Sequence, residues 1–145
     1  MEIYTIGFTK KSARVFFELL KAATIRRLID VRLNNVSQLA GFTKREDLAY
    51  LLDEVCNADY VHEPSLAPTA DLLSAYREGS ITWTAYEQGF LDLMEERQVA
   101  DRLPHALFDR SVVLLCSEPT PERCHRRLVA EYLAKHWGGI TVHHL

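Results

Sequence analysis

The sequence predicts one α/β domain over residues 1–145, three layers deep, with a mostly parallel sheet of about five strands and a helical cover supplied by the middle of the chain. Three observations predict it. Short β-rich runs (EIYTI at 2–6, RLIDV at 27–31, VVLL at 112–115) alternate with segments of helical apolar spacing, the pattern a parallel sheet requires. The run at 112–115 is apolar without a break, as a strand buried on both faces reads. And 145 residues, 48% hydrophobic and 26% charged, suit one globular domain with a sizeable core.

The elements follow in order. The first strand, 2–6, stops at Gly7. Ser12 is placed to cap a helix over 13–23, whose apolar stripe is Val15, Phe16, Leu19 and Leu20. The second strand, 27–31, leaves Asp30 and Arg32 at its carboxyl end, and the helix between the two strands makes a parallel βαβ unit. The polar stretch 33–41 is a loop on the same edge, read as a ligand-covering loop or as a plain connector. Thr43 is set to cap a helix over 44–57 with Leu48, Leu51, Leu52 and Val55 turned inward, and 59–62 is a short third strand ended by Pro64.

From 69 to 97 the pattern is helical in two pieces. The first, 71–78, ends at Gly79; the second, 82–97, carries Tyr86, Phe90, Leu93 and Met94 at helical spacing, with Trp83, Tyr86 and Phe90 read as core. A third short helix over 98–108 is interrupted by Pro104. After the strand at 112–115, Thr120 and Pro121 fit the cap and first position of a helix running to about Trp137. Gly138 and Gly139 end it, and 140–143 is the last strand.

Composition excludes some functions. A net charge of −3 gives no general basic footprint for nucleic acid. Local clusters (Arg26, Arg27, Arg32; Arg123, Arg126, Arg127) leave a nucleic-acid contact open. No apolar run of about 18 residues occurs, so no membrane span or membrane partner is expected. The opening MEIYTIGFTKKS does not read as a signal peptide, which points to a cytoplasmic protein whose three cysteines stay reduced.

Parallel strands present their carboxyl ends on one edge, which gathers Thr5 and Gly7, Asp30 and Arg32, His62 and Glu63, and Cys116 to Glu118. In the last helix Cys124 and His125 stand one turn before the apolar Leu128 and Val129, so both point toward the sheet. Cys116, Glu118, Cys124, His125 and Arg32 therefore converge. Cys116 is the candidate nucleophile, with a small buried apolar side chain as the plain alternative. Glu118 is a candidate acid or base, or only a charge suited to a helix start. His125 is a candidate general base or ligand, or a partner for a backbone carbonyl. Gly7, Asp30, Arg32, Cys124 and Arg126 are assigned to ligand binding, Arg32 as the anion clamp. Against that, Asp30 and Arg32 could merely hold two loops, Cys124 could be core, and Arg126 could be a solvated charge. His136, His143 and His144 read as surface.

Three chemistries are tested by spacing. The tyrosine-phosphatase cradle separates cysteine and arginine by five residues, whereas Cys116 and Arg123 have six between them and no glycine. Paired short metal-ligand spacings are missing, so neither a metal nor another cofactor is expected. The interval from Cys116 to Cys124 is not that of a C-x-x-C redox pair.

Four motifs, YTIGFTKKS at 4–12, LIDVR at 28–32, YVHEP at 60–64 and LLCSEPTPERCHRRLVAEYL at 114–133, are spread over nearly the whole chain. In them the sequence resembles the family catalogued as domain of unknown function 488. Many members carry TIGHS in the first motif, where Phe8 here replaces the histidine. Many also carry paired glycines after the third, where Ser65, Leu66, Ala67 and Pro68 follow here. The resemblance implies where the site lies and no particular reaction. Three functions fit the residues: an enzyme acting on a small anionic or nucleotide-like ligand, a non-catalytic module binding nucleotides or nucleic-acid ends, or a metal or redox sensor built on Cys116, Cys124 and His125.

Overall fold

A computed structural model describes residues 1–36 and 41–145. Part of the polar loop at 33–41, residues 37–40, thus lies outside the described residues. Strands β1 (Glu2–Gly7), β2 (Arg27–Asp30), β3 (Asp59–His62), β4 (Val112–Cys116) and β5 (Thr141–His144) form one sheet in the order β3-β2-β4-β1-β5. Every neighbouring pair is parallel. Helices α1 (Ala13–Ala22) and α2 (Arg45–Leu51) pack on one face. The other face carries α3 (Ala70–Arg77), α4 (Trp83–Glu96), α5 (Val99–Arg102) and α6 (His125–Trp137). This is the expected single α/β domain with its helical cover.

Strand periodicity sorts the core. On β4, Val112, Leu114 and Cys116 face α4 and α6, while Val113 and Leu115 face α1 and α2. All five are buried, which is why the run lacks polar residues. Side-chain caps at Ser12, Thr69 and Thr82 start three of the helices. No described helix is long and apolar enough to cross a membrane.

Three local expectations are corrected. In α1 it is Phe16, Phe17 and Leu20 that are buried, and Val15 is 46% exposed; the two bulky rings fill the space against Phe42 and turn the stripe by a residue. Thr43 belongs to a 3₁₀ turn, Gly41–Thr43, and Lys44 is the cap residue of α2. The segment after α2 widens into a π-helical turn, Leu52–Cys56, which shifts the phase so that Cys56 is buried and Val55 is 41% exposed.

A fourth correction bears on the site. Residues 117–124 form turns, and α6 begins at His125 rather than at Pro121, with Cys124 as its extended cap residue. Pro121 disfavours the helical conformation at Thr120, and two prolines lack the N–H a helix start would present. Guanidinium groups hold the loop instead. Arg126 donates to the Glu118 carbonyl at 2.6 Å, and Arg127 donates to those of Pro121 and Glu122 at 3.3 and 3.2 Å.

Candidate functional site

The site forms where β1 and β4 end side by side, Gly7 level with Cys116. The chain leaves β1 for β2, beyond β4, and leaves β4 for β5, beyond β1, so the two exits run in opposite directions along the sheet. Open α/β sheets hold ligands at such a divergence. The two exit loops touch: the Thr9 N–H donates to the Ser117 carbonyl at 3.0 Å. Gly7 permits this approach, because a Cβ there would lie 1.6 Å from the Glu118 carbonyl oxygen and 2.7 Å from an Arg126 guanidinium nitrogen.

Cys116, the last residue of β4, meets two residues at the start of α6. His125 Nε2 lies 2.7 Å from the Val31 carbonyl oxygen, an acceptor only, so Nε2 carries the proton. Nδ1 is left as an acceptor, and Cys116 Sγ lies against the ring, 3.5 Å from Nδ1 and 3.9 Å from Nε2. The Cys116 thiol is held below its usual range, chiefly by the Cys124 thiol donating to it. The Ser117 and Glu118 N–H groups and the Arg126 charge add to this and outweigh burial. Cys124 moves the other way, its thiol pushed well up by burial and by the neighbouring Cys116. The two Sγ atoms and a His125 ring nitrogen lie within 4.8 Å of one another, so these three residues could also hold a thiophilic metal such as zinc.

Two buried arginines flank the cysteine. Arg32 is clamped by Asp30 through Nε at 2.9 Å and one terminal nitrogen at 2.9 Å, and that nitrogen also donates to the Thr43 carbonyl at 2.7 Å. Tyr60 donates to Asp30 at 2.5 Å, and its phenol is pushed up by burial and by that carboxylate. Arg126 is fully buried, with the Glu118 carbonyl and a long 3.4 Å contact to Thr5 Oγ1 as its partners. Among the described residues, one guanidinium nitrogen on each is buried without a hydrogen-bond partner: Nη1 of Arg32 and Nη2 of Arg126.

A cavity of about 600 Å³ opens over the cysteine. Of the candidates from sequence, Arg32, Cys116, Glu118, Cys124 and His125 line it together. Gly7, Asp30 and Arg126 stand behind that lining: Gly7 against the Glu118 carbonyl, Asp30 on Arg32, Arg126 beneath the 117–118 turn. Glu118 exposes its side chain and gives its carbonyl to the scaffold. The opposite wall is made by Leu73, Tyr76 and Arg77 of α3 and by Trp83 and Tyr86 of α4. Tyr86 is buried in the core as expected and Trp83 packs half-buried against it, so their core reading alone did not reveal this wall. The signal for it is the break at Gly79, which sets two helix ends, and the side chains flanking them, beside the sheet edge.

The profile of one family, described as domain of unknown function DUF488, matches residues 12–133. The chain belongs to the DUF488 family. None of the curated proteins and none of the solved structures compared with it matches. The matched span takes in every cavity-lining residue except Phe8 and Thr9. In this DUF488 protein Phe8 is buried, with the Arg32 guanidinium 5.3 Å from its ring centroid, so a cation–π contact occupies the place where many members carry histidine.

Proposed function

We propose that this DUF488 protein is an enzyme acting on a small anionic ligand, with Cys116 as nucleophile and His125 as its base. The observation that carries this reading is the buried contact of Cys116 Sγ with the His125 ring, 3.5 Å from Nδ1, the tautomer being set by the Val31 carbonyl. A nucleophile held against a base that a third group orients is the arrangement covalent catalysis uses, the hydrogen bond between them tightening when ligand binds. The thiol proton passes to Nδ1, giving an imidazolium still anchored at Val31. The thiolate then bonds to an electrophilic carbon or phosphorus of the ligand, and the leaving group departs with its electron pair and takes the proton from Nδ1. Water, activated by the freed Nδ1 or by Glu118 at the rim, cleaves the covalent intermediate and restores the thiol. Arg32 holds the anion, and Arg126 and Cys124 favour the thiolate.

A second reading is supported by the closeness of the three donors: a metal held by Cys116, Cys124 and His125, the histidine oriented through its second nitrogen as metal-bound histidines are. One experiment separates the two. In metal-free protein, iodoacetamide labelling mapped by peptide mass spectrometry is expected to modify Cys116 far faster at neutral pH than Cys56, whose thiol is pushed up by burial. The half-maximal pH should lie below the free-thiol value of about 8.5, and His125→Gln should slow the labelling. Equal rates at Cys116 and Cys56 would sink the nucleophile. Zinc at one per chain after exhaustive dialysis would replace it with the metal centre.

A further inference from the structure

The cavity is built for more than an oxyanion. Arg32 has its Nε and one terminal nitrogen taken by Asp30 and Thr43, so Nη1 is a buried donor in a fixed orientation, on a residue that lines the cavity. Arg77 and Arg123 stand exposed on the rim, and neither makes an ion pair among the described residues. Glu118 is the one carboxylate among the lining residues, so the cavity is cationic within a chain of net charge −3. The facing wall is aromatic. Tyr76, Trp83 and Tyr86 pack on one another at 5.0–5.5 Å between ring centroids, and Tyr76 and Trp83 are only half-buried. About 600 Å³ is the size of sites that enclose ligands of drug size, far larger than an inorganic anion needs.

We propose that this cavity takes a nucleoside monophosphate unit, its base stacked on the Tyr76–Trp83 wall and its phosphate on Arg32 and the rim arginines. Stacking accepts any base, since every base has a π face, and the guanidinium fork accepts phosphate oxygens. The inference rests on the reading of this cavity as the ligand site and specifies the ligand; it does not require Cys116 to react.

The test is calorimetric titration of metal-free protein with AMP, CMP, adenosine, inorganic phosphate and a 5′-phosphorylated hexanucleotide, with the Cys116 labelling rate measured in the same samples. At least one mononucleotide should bind tenfold or more tightly than either phosphate or adenosine, and should protect Cys116 from labelling. Trp83→Leu and the rim double variant Arg77→Gln/Arg123→Gln should each weaken it about tenfold. Arg32→Lys, which keeps a cation beside Asp30 while removing the free nitrogen, should do the same. A hexanucleotide binding more tightly than the mononucleotide assigns the unit to a nucleic-acid end; the reverse order assigns it to a free nucleotide. Phosphate binding as tightly as nucleotide, or a Trp83→Leu protein that binds unchanged, overturns the proposal, as does no nucleotide binding at millimolar concentration. Reactive Cys116 without nucleotide binding would remove the ligand assignment alone, and nucleotide binding beside an inert Cys116 would remove the nucleophile alone.

Discussion

Arg32 and Arg126 lie on either side of Cys116, both buried, each with one unpartnered nitrogen, and they sit in opposite electrostatic settings. Arg32 is neutralised by a carboxylate that Tyr60 and the Arg32 N–H also bond. Arg126 has no carboxylate within ion-pair distance among the described residues; a carbonyl and a hydroxyl are its partners. Burying a cation is costly unless something answers the charge. On the β2 side the answer is Asp30, so Arg32 is a scaffolded donor. On the β1 side the available anion is the Cys116 thiolate, whose pKa the Arg126 charge helps to depress. The same residue type thus fixes geometry on one side and lowers the pKa of a thiol on the other.

One substitution made at both positions tests this contrast most sharply. Arg32→Met strands a fully buried Asp30 and should cost about 3–5 kcal/mol of folding stability, read from urea midpoints. Gly7→Ala, on the other side, drives a Cβ into the Glu118 carbonyl; about 3 kcal/mol is expected, together with altered Cys116 labelling as the loop is pushed away. A smaller loss, about 2 kcal/mol, should follow Tyr60→Phe, which deletes a hydrogen bond to a charged partner and leaves Cys116 reactivity alone. Arg126→Met should be the mildest for folding, within about 1 kcal/mol of wild type, because no buried anion of fixed charge is left behind. Yet this variant should raise the pH of half-maximal Cys116 labelling. If Arg126→Met costs as much as Arg32→Met, or leaves the thiol unmoved, the contrast is wrong.

The pH dependence of stability has a sign that the two cysteines set in opposite directions. Cys116 ionises at lower pH in the folded than in the unfolded chain, so the stability it adds is present above the unfolded thiol value of about 9 and is lost as pH falls through the folded one. Cys124 stays protonated when folded, so above about 9 the unfolded chain alone gives up that proton and stability declines. Urea midpoints of metal-free protein should therefore rise toward pH 9 and fall beyond it. Cys116→Ser should abolish the rise and Cys124→Ser should lessen the fall, to which Cys56, its thiol also pushed up by burial, adds.

Legibility differed along the chain for physical reasons. The strands announced themselves by β-rich runs because their pairing partners are other buried strands, and the cap at Ser12 is a local bond within three residues. Phase along α1 and α2 was less legible, since bulky neighbours and a π-helical turn move a stripe without changing composition. At the site, helix and strand periodicity was enough to bring Cys116, Cys124 and His125 together. The start of α6 was misplaced because Arg126 and Arg127, later in the chain, hold carbonyls that a helix would otherwise have used.

By itself the sequence determined the fold class, the family, and the edge of the sheet where the cysteines and the histidine collect, because these follow from period, spacing and motif. Only the tertiary structure decided which nitrogen of His125 the Val31 carbonyl holds, that Arg126 is fully buried with no carboxylate within ion-pair distance among the described residues, and that Tyr76 and Trp83 wall the cavity. Those outcomes depend on atoms that meet from segments 30 to 121 residues apart, as Tyr60 meets Asp30, His125 meets Val31 and Arg126 meets Thr5. No local pattern encodes such meetings; packing selects them.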